Sequence, residues 1–138
     1  MRYSEIASNN LLIFLEGGGA CFNFTTCIAN PQSIPTTARD PGTSGIFDFS
    51  RDNNPVKDWN MIYIPYCTGD AHFGSNPDGN IVGHGKQKFV GGNNYRLFLE
   101  SAVATFPSTE FVLLSGYSAV QSAPLPTSTT PSRRSETM

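Results

Sequence analysis

The sequence predicts an α/β protein built on a mostly parallel sheet, because it contains two short buried strands and one strand–helix–strand unit. The first strand is the apolar run Leu11–Leu15, which leads directly into three glycines. A short continuous apolar run that ends in a turn signal is typical of a strand covered on both faces. The second strand lies in "WNMIYIPY" and ends at Pro65.

A helix and a third strand complete the unit. In "NNYRLFLESAVATFP" the apolar side chains recur three and four residues apart, which indicates an amphipathic helix. Asparagines can cap its start, and Pro107 stops its end. The run "EFVLL" then predicts a third buried strand. The order strand, long loop, helix, strand is the crossover unit of a parallel sheet.

Composition restricts the class of protein. A length of 138 residues with 38% hydrophobic side chains suits one globular domain, and no apolar run is long enough to span a membrane. The net charge of -2, with no basic patch, gives no reason to expect nucleic acid or an anionic membrane as partner. The N-terminus lacks the apolar stretch of a signal peptide. The 13 glycines and 10 prolines predict short elements joined by long loops.

Three cysteines cannot all pair with one another. Cys21 and Cys27 enclose "CFNFTTC", a loop of a size that a disulfide can close, and Cys67 is then left over. An odd cysteine is either a buried thiol or one half of a bridge whose partner lies elsewhere.

The stretch "SGYSAV" places Ser118 in a turn with Gly116 and Ala119, directly after the third predicted strand. Acyl-transfer enzymes with a nucleophile elbow hold their serine on such a strained strand-to-helix turn. The full elbow pattern has a glycine two places after the serine, where Val120 stands here. The alternative is therefore a serine in an ordinary turn.

The glycines after the first strand, Gly17–Gly19, can let backbone N–H groups converge on one point. An oxyanion needs such donors, and α/β hydrolases take one from a glycine-rich loop after an earlier strand. A phosphate cradle is the rival interpretation. However, "GGGACF" has neither the dinucleotide-binding spacing nor the lysine of a P-loop.

The two histidines, His72 and His84, both precede Ser118, whereas a hydrolase of this order has its acid and histidine after the serine. Each is interpreted as a loop residue, and neither has partners at the spacing of a zinc site. Asp70 could line the same cleft, although a solvated loop aspartate is the simpler interpretation. We expect no metal and no cofactor.

Three blocks in this order, "LLIFLEGGGACFNFTTC", "DWNMIYIPYCTGDAHFG" and "VLLSGYSA", resemble the pectin acetylesterase and Notum carboxylesterase family. The resemblance implies a secreted serine hydrolase of the α/β-hydrolase fold that cleaves carboxylic esters. In the plant branch these are acetyl groups on polysaccharide, and in the animal branch an acyl group on a signalling protein. The expected partner is thus an ester substrate such as an acetylated polysaccharide.

Carried over residue by residue, the resemblance makes Ser118 the nucleophile. Gly18, Gly19 and Ala119 become the N–H donors of its oxyanion hole, and Cys21 and Cys27 a disulfide. Cys67 would seek a partner further along the chain. The sequence departs from the family at Ala20, where an aromatic residue usually stands, which leaves the substrate class open.

The sequence departs again after Ala119, where the family continues with two glycines and a helix. Residues 120–138 contain no aromatic residue and are rich in serine, threonine and proline, so we expect a disordered tail. We accordingly expect residues 1–119 to be the N-terminal part of an α/β-hydrolase domain. We expect the tail to be a frameshifted continuation of the gene. We also expect the chain to be inactive, because it lacks the acid and the histidine of the catalytic triad. The alternative function is a secreted, non-enzymatic carbohydrate-binding or interaction protein.

Overall fold

A three-stranded parallel sheet forms the centre of the protein, whose computed structural model describes residues 1–29 and 41–118. Its strands are β1 (Asn10–Leu15), β2 (Asn60–Ile64) and β5 (Phe111–Gly116), in the order β2–β1–β5. Both neighbours of β1 run parallel to it, with Leu11 opposite Asn60 and Val112. The prediction of a parallel α/β sheet is confirmed.

Each face of the sheet is covered by a different segment. On one face, helix α2 (Gly91–Thr105) packs Tyr95 and Ala102 against alternate side chains of β1 and β2. On the other face, the segment around the short 3₁₀ helix Gly45–Phe47 and Val56 covers Leu12 and Phe14. Because successive strand residues point to opposite faces, this double cover explains why β1 is apolar from Leu11 to Leu15.

Strand β5 differs from its prediction as a buried strand. Its first two residues are exposed and the other four are half-buried. Within the described residues it pairs with β1 alone. A groove of about 530 Å³ also lies between it and α2; the apolar side chains along this groove include Leu11, Ile13, Leu99, Val103, Val112 and Leu114. An apolar run therefore does not by itself establish that both faces are covered.

Three elements add to the predicted set or change it. A short helix, α1 (Phe24–Ala29), begins in the loop between the first two cysteines and includes Cys27. A hairpin of β3 (Asn76–Ile81) and β4 (Gly85–Phe89) occupies the region predicted as a long loop. Helix α2 begins at Gly91, so the asparagines lie inside its first turn and Val90 contributes no side-chain cap.

In the described ranges, no helix is long and apolar enough to cross a membrane. The predicted tail, residues 120–138, lies outside these ranges, as does Ala119. The domain boundary and the frameshift therefore stay predictions.

Candidate active site

Ser118 follows β5 by two residues and is exposed at the carboxyl end of the sheet. Its φ of 64° lies in the left-handed region, which non-glycine residues seldom adopt. Such strain persists only where the surrounding structure enforces it, and it is concentrated at functional sites. The structure thus gives Ser118 the strained backbone expected for a serine on a nucleophile elbow.

The glycine turn after β1 lies directly against Ser118. A Cβ atom added to Gly17 would overlap the carbonyl oxygen of Tyr117 and lie 3.0 Å from Ser118 Cβ. Because real Cβ atoms do not approach other atoms this closely, only glycine fits at position 17. The parallel pairing of β1 with β5 produces this contact, since it brings the ends of both strands to the same edge.

Gly18 lies against the ring of Tyr66, in the loop that follows β2. A Cβ at Gly18 would overlap this ring, whose Cε1 atom would be 2.8 Å away. The Tyr66 hydroxyl accepts a hydrogen bond from Ala71 N–H at 2.9 Å, and burial raises the pKa of this hydroxyl. Gly18 therefore allows the glycine turn to pack closely on an ordered loop.

Glu16, which precedes the glycines, is buried, with 8% of its surface exposed, and it is hydrogen-bonded to three other residues. Its N–H donates to the Ile64 carbonyl at 2.9 Å, and its carboxylate accepts from Tyr66 N–H at 2.8 Å. The Nε2 atom of His72 lies 3.0 Å from the Glu16 carbonyl oxygen. Since a carbonyl oxygen can only accept, Nε2 carries the proton and donates it in this bond.

The hydrogen bond from His72 fixes the peptide that joins Glu16 to Gly17. The carbonyl of Glu16 and the N–H of Gly17 belong to the same planar unit, so holding the one orients the other. His72 is 4% exposed, and both it and Ala71 have left-handed backbone, with φ of 61° and 55°. This strained pair turns the imidazole inward to the glycine turn.

The loop after the glycines is closed by a disulfide between Cys21 and Cys27, as expected. Cys21 N–H also donates to the Gly69 carbonyl at 2.9 Å, which joins this loop to the one after β2. Gly19 and Ala20, between the turn and the bridge, are half-buried. The glycine turn is thus fixed at both its ends.

Asp70 is not the solvated aspartate of the simpler sequence interpretation. Its half-buried carboxylate accepts hydrogen bonds from Thr68 Oγ1 at 2.7 Å, from Gly91 N–H at 2.7 Å and from His72 N–H at 3.2 Å. A carboxylate at the first turn satisfies helix N–H groups and complements the helix dipole. Asp70 therefore caps α2 from a distant loop.

The remaining candidates from the sequence lie elsewhere. His84 stands in the hairpin turn, where its N–H donates to Ile81, and Cys67 Sγ accepts from Asn94 Nδ2 at 3.7 Å. Across residues 1–29 and 41–118, neither histidine is hydrogen-bonded to Ser118, and no cluster of side chains could hold a metal ion. Among these residues, the site therefore consists of an exposed strained serine beside a fixed glycine turn.

Comparison with known proteins identifies the family. A statistical profile of the family described as pectinacetylesterase matches residues 2–125, most of the chain. The chain belongs to this family. The match includes the glycine turn, both loops beside it and Ser118, and it ends six residues beyond Ala119.

Individual relatives come from both branches of the family. The chain is 32% identical to pectin acetylesterase 11 of Arabidopsis thaliana over 71 residues, which is 48% of the chain and 18% of that protein. It is 34% identical over 86 residues to the inactive palmitoleoyl-protein carboxylesterase notum1b of Danio rerio, over 56% of the chain and 60% of that protein. The chain therefore spans less than two thirds of the length of these relatives.

A solved structure has the same fold. The Wnt deacylase Notum from Drosophila superposes with a TM-score of 0.65 at 20% sequence identity, over 86% of this chain and 37% of Notum. With the parallel sheet and its crossover helix, this similarity shows that the chain has part of an α/β-hydrolase fold.

Two residues beside the site could not be singled out from the sequence. Gly17 is one of three consecutive glycines, and no sequence signal distinguishes which of them meets Ser118. His72 has the sequence surroundings of a loop residue, because a histidine separated from its partner by 56 positions leaves no local pattern.

Proposed function

We propose that this pectinacetylesterase-family chain carries the serine and oxyanion half of a carboxylic ester hydrolase site. Ser118 acts as the nucleophile, and the backbone N–H groups of Gly18, Gly19 and Ala119 stabilise the oxyanion that forms on the substrate carbonyl. The observation that carries this proposal is the strained Ser118 packed against Gly17, at the edge where β1 and β5 end.

The fixed position of the glycine turn supports its role in the oxyanion hole. Donors lower the energy of a developing oxyanion best when they are already oriented before reaction, since no reorganisation is then needed. The hydrogen bonds to Glu16 and the Cys21–Cys27 bridge hold the turn without any ligand. The chain therefore provides a preformed electrostatic site.

The serine itself needs a base. A serine hydroxyl is a weak nucleophile at neutral pH until a neighbouring base removes its proton. In the described part of the chain no histidine bonds to Ser118, and residues after Ser118 contain no histidine or aspartate. We therefore infer that the 138-residue polypeptide, assayed alone, does not turn over an ester.

The family indicates a carboxylic ester as substrate but does not specify which ester. The names of the relatives specify pectin acetyl esters in Arabidopsis and palmitoleoyl esters on protein in animals. Ala20 stands where the family usually has an aromatic residue, so the resemblance does not decide between these two kinds of ester. The cysteine bridge supports a secreted location.

A chimaera tests the proposal. Residues 1–118 of this chain would be joined to the part of Arabidopsis pectin acetylesterase 7 that follows its matching segment, since the chain is 28% identical to that protein over 121 residues. We expect hydrolysis of p-nitrophenyl acetate and labelling by a fluorophosphonate, both lost in Ser118→Ala.

A folded chimaera without Ser118-dependent labelling would contradict the proposal. It would favour the non-enzymatic alternative, in which the loops beside the glycine turn only bind carbohydrate or a protein. This alternative has a precedent among the relatives, since notum1b of Danio rerio is named as inactive.

A further inference from the structure

The loop closed by the disulfide contains a modification motif that the proposed hydrolase chemistry does not use. Asn23, Phe24 and Thr25 form the acceptor pattern Asn-x-Ser/Thr, with no proline in the middle, and the pattern occurs once in the 138 residues. We propose that Asn23 is N-glycosylated. This inference goes beyond the proposed function and does not depend on Ser118.

The motif is accessible in the folded protein. Asn23, Phe24 and Thr25 are all exposed, at the start of the short helix α1. N-linked glycans are bulky and hydrophilic, and they are accommodated only at surface positions of this kind.

The two polar atoms of the Asn23 side-chain amide have separate roles. Its Oδ1 atom caps α1, accepting from Thr26 N–H at 2.9 Å and from Thr26 Oγ1 at 3.1 Å. In return, Asn23 N–H donates to Thr26 Oγ1 at 3.0 Å. This reciprocal arrangement leaves Nδ2, the atom that would carry the sugar, with no hydrogen-bond partner within residues 1–29 and 41–118. Glycosylation would thus preserve the cap.

The reaction balances with a lipid-linked oligosaccharide as donor. A bond forms between Asn23 Nδ2 and the anomeric carbon of the first sugar, while the bond from that carbon to the diphosphate oxygen of the lipid breaks. The lipid diphosphate leaves with the electron pair, and Nδ2 loses one proton to solvent. The amide keeps its carbonyl, so Oδ1 remains an acceptor for Thr26.

The cysteine bridge points to the same compartment. Cys21 and Cys27 flank the motif and are joined in the structure. Disulfides form in the oxidising secretory pathway and seldom persist in the cytosol, and N-glycosylation takes place along that pathway. Two independent features of one loop therefore indicate the same maturation route.

A glycan at Asn23 would also cover an apolar surface. Phe22 is 68% exposed, Phe24 is 50% exposed, and Ile28 on the same short helix is 59% exposed. Exposed apolar side chains grouped together favour association between molecules. We expect the first sugars to lie over this group and to reduce its contact with water.

The test expresses the 138-residue chain behind a cleavable secretory leader in eukaryotic cells and treats both lysate and medium with peptide N-glycosidase F. We expect a shift in mobility and conversion of Asn23 to aspartate, located by mass spectrometry. Thr25→Ser should keep the shift, and Asn23→Gln and Thr25→Ala should abolish it. Because the glycan is added during translocation, the lysate reports on it even if a variant folds poorly.

Thr26→Ala serves as the matched control. It removes the cap hydrogen bonds but leaves the acceptor motif, so the glycan should be retained. A wild-type chain that enters the secretory pathway without an enzyme-sensitive shift would overturn the proposal. So would a glycan that persists in Thr25→Ala, and loss of the glycan in Thr26→Ala would contradict recognition of the Asn23-Phe24-Thr25 motif alone.

Discussion

The two sides of the glycine turn are held very differently. On the side of β2, Glu16 is fixed by its N–H, its carboxylate and its carbonyl, and Gly18 lies against a buried tyrosine ring. On the side of β5, Ser118 is exposed and meets the turn at Gly17. The contrast indicates that this chain orders the glycine turn by itself, whereas the proposed activation of the serine requires a group that the described residues do not place there.

Substitution of Gly17 should have the largest effect, because it acts where the two sides meet. In Gly17→Ala the new Cβ overlaps the backbone of Tyr117 and presses on Ser118. Since backbone atoms cannot move aside as a flexible side chain can, we expect a loss of about 3 kcal/mol in the free energy of unfolding. Urea denaturation monitored by circular dichroism would measure it.

Gly45→Ala provides the matched control for that substitution. Unlike Gly17, Gly45 has a left-handed φ, of 60°, and no atom lies within 4 Å of the position that a Cβ would take there. The Gly45→Ala variant should lose only about 1 kcal/mol in the free energy of unfolding, which is the cost of left-handed backbone at an alanine. Equal losses for the two variants would show that the turn does not pack against Ser118.

His72 tests the fixed side of the turn. His72→Ala removes the donor to the buried Glu16 carbonyl and leaves a small cavity, for which we expect a loss of about 2–3 kcal/mol. His72→Gln retains an N–H donor of similar reach and should recover about 1 kcal/mol of this. Amide hydrogen exchange at Gly17 should be accelerated in the alanine variant more than in the glutamine variant. If both variants behave alike, the hydrogen bond does not orient this peptide.

Substitution of Tyr95 should have the smallest effect. It tests whether the Tyr95 hydroxyl has a hydrogen-bond partner outside the described residues. Its buried hydroxyl has no hydrogen-bond partner in the described structure. Tyr95→Phe should therefore change stability at pH 7 by less than about 0.5 kcal/mol. A loss above about 1 kcal/mol would reveal a partner outside the described residues.

The pH dependence of the same variant follows from the pKa of Tyr95. Burial raises that pKa above its usual value of 10, so the folded state retains its proton to higher pH than the unfolded state. The stabilisation is complete below pH 10 and is lost as the pH rises through the folded-state value. Tyr95→Phe should lose less stability above pH 10 than wild type, as urea titrations across that range would show.

The elements with strong local patterns could be predicted from sequence. The apolar runs of β1 and β2 and the spacing of α2 lie within short windows, so their identity did not depend on distant contacts. The hairpin Asn76–Phe89 could not be recognised in this way, because it is polar and its pairing provides its structure. Helix α1 was likewise missed, since it is six residues long and depends on the Asn23 cap.

The site was predictable only in part for the same reason. Ser118 and the glycines carry a motif and lie at strand ends, so their general position followed from the order of strands. Which glycine meets the serine depends on the register of β1 with β5, where Leu15 lies opposite Gly116. The roles of His72 and Asp70 depend on contacts across 56 and 21 positions, which a single sequence does not display.

Hydrolysis of p-nitrophenyl acetate by the 138-residue chain, compared with its Ser118→Ala variant, tests directly whether the ordered half of the site can act alone. Both proteins should first be shown to contain the Cys21–Cys27 bridge, by resistance of these thiols to alkylation before reduction. We expect equal rates, because the glycine turn is ordered while, within residues 1–29 and 41–118, no base is hydrogen-bonded to Ser118. Turnover that depends on Ser118 would contradict this expectation and would show that a base acts within this chain.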